Sequence, residues 1–160
     1  MKKSIQELIC IHMVTDGTCE KCKGEGNSFH KYMCDAHSHG MDKFGHRELQ
    51  MVLLIDPKLI AYAINSVAEK ILDEDIKPKD KLVISNVFGC DIRLDEATDK
   101  DGKLLWRIVV PDEKGKYPEE TDDEIFAMQS GSPYKKTRLI NNKDHQRAQL
   151  SRSGLFSCAS

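Results

Sequence analysis

No apolar run in this 160-residue chain approaches the roughly 20 residues needed to cross a bilayer, so no helical membrane span is expected. There is no charge excess either. A net charge of −2 excludes nucleic-acid binding by bulk electrostatics. The N-terminal stretch MKKSIQELICIHMV carries two lysines, but Gln6, Glu7 and His12 interrupt its apolar part. It lacks a signal h-region and a cleavage site, which predicts a cytoplasmic protein. Thiols stay reduced there, so clustered cysteines favour a metal over disulfides. No internal repeat is visible. Hydrophobic content of 39% and charged content of 31% describe a soluble globular protein, and the length fits one domain with a real core.

What the chain does have is a concentration of ligating side chains. Residues 19–48, CEKCKGEGNSFHKYMCDAHSHGMDKFGHRE, hold three of the six cysteines and four of the six histidines. Cys19, Cys22, His30 and Cys34 are spaced C-x2-C-x7-H-x3-C. Zinc takes four thiolate or imidazole ligands in a tetrahedron, and a CxxC supplies two from one turn. Gly24 and Gly26 let the backbone fold close around an ion. The expectation is a zinc knuckle over residues 19–34. The bland alternative is a set of reduced, solvent-facing thiols without metal.

A second cluster follows. Residues 33–39 and 46–55 read as two strands, with 40–45 a loop bracketed by Gly40 and Gly45. If those six residues are the turn, His39 lies opposite His46 and His37 opposite Glu48. Residues at i and i+2 share a face and opposed Cβ atoms are about 5 Å apart, so all four would form one cluster. A one-residue slip would break it. Asp91, on the polar side of a later strand, is placed to orient one histidine. The alternative is that these side chains merely bond to one another and stiffen the hairpin. His12 and His145 stand alone and receive no role. Cys10 and Cys90 are expected as small core residues, and Trp106 as core within a strand.

The remaining elements form a scaffold. Residues 4–14 fit a short helix or a strand equally well. Asp56 is a good N-cap and Pro57 a good first-turn residue. Leu59, Ile60, Ala63, Ile64, Val67, Ala68, Ile71 and Leu72 then recur at helical spacing as one apolar stripe. Strands are expected at 82–88, with Gly89 a bend, at 90–94 and at 104–110. In the second of these, Cys90, Ile92 and Leu94 share one face, with Asp91 and Arg93 on the other. This order predicts an α+β domain over residues 1–111, with a mainly antiparallel sheet and one main amphipathic helix. Residues 112–124 carry seven acids, and from Gly131 the charge turns basic. Apolar residues are sparse over 112–160, which predicts a charged, largely irregular and mobile tail.

At HSHGM (37–41) and GHREL (45–49) the chain resembles a family of small bacterial and phage proteins of unknown function. Their signature reads approximately THGL, then GHPEL, then an apolar strand and a helix. GCDIRL (89–94) and RIVVPD (107–112) are similar to that family's second half. The likeness covers roughly residues 33–120, with Arg47 where proline is usual and mild changes at Ser38 and Met41. It implies an α+β domain, bacterial or phage, and no particular reaction. Family members often carry an N-terminal CxxC-like element, which agrees with the metal reading of Cys19 and Cys22.

Three readings follow. The first is a metal-binding domain, with zinc at Cys19, Cys22, His30 and Cys34. It places a pocket lined by His39, His46 and Glu48 alongside, with His37 and Asp91 near it, suited to a small-molecule ligand. The second is a metal-dependent hydrolase with His37, His39 and His46 as ligands and Glu48 as general base. The third is an interaction module for a protein partner, or for nucleic acid through the basic tail.

Overall fold

The computed structural model describes residues 9–14 and 32–134. Its strands are β1 (Cys10–Val14), β2 (Met33–His39), β3 (Leu49–Leu53), β4 (Leu82–Ile84), β5 (Ile92–Thr98) and β6 (Leu104–Val109). They form one six-stranded sheet in the order β1-β2-β3-β6-β5-β4. The fold is α+β with a mixed sheet: the β3–β6 pair is parallel and every other pair antiparallel. Residues 10–14 resolve as strand because they pair along β2 from Cys10–His39 to Val14–Asp35.

The main helix, α1 (Pro57–Asp73), begins where the sequence predicts. Asp56 accepts a hydrogen bond from the Lys58 amide and Pro57 fills the first turn. Ile60, Ala63, Ile64, Val67, Ala68 and Ile71 are buried by α1. They meet Ala36, Leu49, Met51, Ile92, Leu94 and Ile108 from one face of the sheet. Burial of an aliphatic side chain of this size stabilises by roughly 1.5–3 kcal/mol, so this stripe holds the layers together. Trp106 is part of the same core, with the Arg47 guanidinium 4.8 Å from its ring centroid on the outer side. Among the described residues no helix is long and apolar enough to cross a membrane.

The opposite face of the sheet is polar yet largely buried. Asp35, Gln50, Arg93, Asp95 and Arg107 project from it. What covers them is the chain after β6. Residues 112–134 were expected to belong to a mobile tail. They are mostly irregular but fold back over this face, through α2 (Glu124–Ala127) and a 3-10 turn at Met128–Ser130. Two arginines fasten the strap. Arg93 binds Asp95 and reaches across to the Glu119 carboxylate, with the Tyr117 ring 4.5 Å from its guanidinium. Arg107 donates to the Gln129 and Gly131 carbonyls. Gln129 adds a two-way bond to the backbone of Val110.

Glu119 gives this clasp a pH dependence. The Arg93 hydrogen bond holds its carboxyl at about 2, against an ordinary 4.5. A depressed carboxyl contributes stability that is present above its unfolded value and lost as pH falls through its folded one. Glu119→Gln is therefore expected to flatten the decline in stability between about pH 4.5 and 2. Urea unfolding midpoints across that window check it; an unchanged slope would remove the clasp from the account.

Candidate functional site

The polar face continues past β3 to the β1 edge, and there three histidines meet. Cross-strand pairing sets His12 opposite His37, and the two-residue repeat of β2 puts His39 on the same face as His37. Ring centroids are 4.3 Å apart for His12–His39, 4.8 Å for His37–His39 and 5.9 Å for His12–His37. One ligating nitrogen from each lies within 4.8 Å of the others. Zinc–nitrogen bonds of about 2.0–2.1 Å put tetrahedral ligand atoms roughly 3.4 Å apart. The observed spacing is wider than that by up to about 1.4 Å.

A carboxylate orients the centre from beneath. Asp35 Oδ1 lies 3.0 Å from His37 Nδ1. An ionised carboxylate only accepts, so Nδ1 carries the proton in this bond. Asp35 Oδ1 also accepts from Gln50 Nε2 at 2.9 Å, and Oδ2 accepts from the Tyr134 hydroxyl. Burial raises the Asp35 pKa, but these hydrogen bonds and the His37 charge outweigh it, and the net shift is downward. Gln50 turns its other end to Arg107, accepting at Oε1 from Nε and Nη2 at 3.1 and 3.0 Å. One chain of contacts thus runs His37–Asp35–Gln50–Arg107 across β2, β3 and β6. His39 is the exposed member. Burial and the neighbouring His37 depress its pKa, which favours the neutral imidazole.

The predicted hairpin cluster is rearranged. His37 faces Gln50, and Ala36 faces Met51, a register two residues away from the one expected. His37 and His39, two residues apart on β2, share a face in either register. The connection is longer because a 3-10 turn at Met41–Phe44 follows Gly40, and Gly45, at φ 77°, closes it in the left-handed region. His46 and Glu48 consequently fall in the connection and not in β3. His46 is within electrostatic reach of Asp75, beyond α1. The Glu48 carboxylate accepts from Ser38 Oγ at 2.6 Å and from the Gly40 and Met41 amides at 3.0 and 3.3 Å. It is a buckle for the connection, held by Ser38 and two backbone amides and not by the histidines. Glu48→Gln is expected to cost about 1–2 kcal/mol, since it weakens charge-assisted bonds, while leaving cation affinity unchanged. Thermal melts and zinc titration of the same variant check both halves.

Asp91 does not reach the histidines. It sits in the turn before β5, where its side chain accepts from the Asn86 amide at 3.0 Å and supports the left-handed backbone there. Cys34 is fully buried on the core side of β2. Burial and the Asp35 charge push its thiol up to about 12, so it is no ready source of thiolate. It faces away from His37 and His39 and cannot share a metal with them. Cys19, Cys22 and His30 lie outside the described residues. Cys10 is exposed on β1, opposite His39, and not a core residue. Cys90 is partly buried against the core.

Sequence reasoning missed His12, Gln50, Arg107 and Tyr134. His12 had one available signal: Cys10 and His12 alternate with Ile9, Ile11 and Met13, as a strand with one polar face would. No family model, curated protein or solved structure matches the chain.

Proposed function

We propose that this protein is a metal-binding domain centred on His12, His37 and His39, with zinc the cation its ligands suit best. The observation that carries this reading is the approach of three imidazole nitrogens within 4.8 Å, one of them backed by a buried carboxylate. Imidazole suits zinc, copper, nickel and iron, and a carboxylate behind a ligating histidine is the usual second layer of a zinc site. Three protein ligands leave one position for water, a small molecule or a partner's donor group. The free thiols of Cys10, Cys34 and Cys90 fit a cytoplasmic setting.

A hydrolase would need a general base beside that open position. Glu48 spends its carboxylate on the 40–48 connection, and Asp35 spends both oxygens on His37, Gln50 and Tyr134. These commitments favour binding over hydrolysis. The test is elemental analysis and zinc titration of the full chain under reducing conditions, with His39→Ala and Cys22→Ser in parallel. One equivalent of zinc, lost in the histidine variant and kept in the cysteine variant, is expected. Zinc lost only in Cys22→Ser, or bound by neither wild type nor variant, would sink the proposal.

A further inference from the structure

The strap and the histidine centre share one carboxylate. Asp35 holds His37 through Oδ1 and Tyr134 through Oδ2. Tyr134 closes the strap, three residues beyond the Gly131 carbonyl that Arg107 grips. Arg107 in turn reaches Asp35 through Gln50, by bonds of 3.0 and 2.9 Å. The strap therefore touches the support of His37 by two routes, one direct and one relayed. Neither the Tyr134 hydroxyl nor the Gln50 amide contributes to the apolar core, so core packing alone does not account for their placement.

We propose that Tyr134 is a positioning residue for the histidine centre, and that docking of residues 128–134 and cation binding at His12, His37 and His39 strengthen each other. This rests on the metal-binding reading above. The Tyr134 hydroxyl, by fixing Asp35, fixes the carboxylate that holds His37 at Nδ1. A carboxylate held by a second donor keeps one rotamer, and the imidazole it holds keeps one tautomer. Linkage is reciprocal: whatever the docked strap adds to cation affinity, the bound cation adds to strap docking.

Two measurements on the full chain test this. The first is zinc affinity by chelator competition in wild type and Tyr134→Phe, alongside unfolding of the zinc-free proteins. The phenylalanine ring keeps the packing and removes only the hydroxyl. Tyr134 stands one step behind the carboxylate that holds His37, so its loss is expected to weaken zinc by less than the 10- to 100-fold that losing a ligand's direct partner costs, about 2- to 10-fold. The second is hydrogen exchange of residues 128–134 with and without zinc. Wild-type amides there are expected to slow when zinc is added, and those of Tyr134→Phe to respond less. Equal zinc affinity in the two proteins, or a wild-type strap whose exchange ignores zinc, would overturn the coupling while leaving the metal site standing. Wild type that binds no zinc would overturn both. The exchange experiment on wild type needs no variant, so a poorly folded Tyr134→Phe would not shelter the proposal.

Discussion

Arg107→Met should destabilise the protein by about 3–5 kcal/mol, the cost of removing one partner from a buried charged network. Arg107 is almost fully buried and, among the described residues, hydrogen-bonds to no carboxylate. Its charge is compensated one residue away, by Asp35 through Gln50, and burial lowers its pKa accordingly. Methionine has similar reach and no donors. The Gln50 carbonyl and the Gln129 and Gly131 carbonyls would all lose their partner, at about 1–3 kcal/mol for each acceptor left buried and unpaired. Asp35 would lose the cation that offsets its charge. The strap would lose its central tether. A fall in melting temperature on the order of 10 °C is expected for a domain of this size. A melting temperature within 2–3 °C of wild type, roughly what a surface substitution gives, would mean the strap does not seal this face.

His12→Ala should have the opposite profile, with little effect on folding and a large one on the cation. His12 is half-buried on the edge strand β1, in contact with two imidazoles. A half-buried edge-strand position outside the apolar core is expected to cost on the order of 1 kcal/mol. For the cation, however, one of three protein ligands is gone. Loss of a second-layer partner already costs about 10- to 100-fold in affinity, so loss of a ligand should exceed 100-fold. His46→Ala is the matched control, because His46 lies in the 40–48 connection and outside the trio. Competition titrations of the two variants against wild type separate these expectations.

How much of this was legible depends on how local each feature is. Asp56-Pro57 and the stripe from Ile60 to Ile71 carry the helix within their own residues, and the structure places α1 there. The alternation around Ile92 and Leu94, with Arg93 on the other face, needs only a period of two. The hairpin register does not lie in the strands. It is set by a 3-10 turn that Gly45 closes and Glu48 buckles, and six residues of loop could not be told from nine. His12 was invisible as a member of the histidine cluster because its partners are 25 and 27 residues away, and strand pairing over that distance leaves no local mark. The strap was read from its sparse apolar content. What docks it is buried polar bonding to Arg93 and Arg107, which hydropathy patterns do not register.

The most direct measurement is the absorption spectrum of the full chain loaded with cobalt(II) in place of zinc, for wild type, His12→Ala and Cys22→Ser. Nitrogen ligands give visible d–d bands without the near-ultraviolet thiolate charge-transfer band that cysteine ligation adds. The account predicts visible bands alone, abolished by His12→Ala and unchanged by Cys22→Ser. A strong thiolate band that survives His12→Ala and vanishes in Cys22→Ser would contradict it, and would move the metal from the histidine face to the cysteine pair.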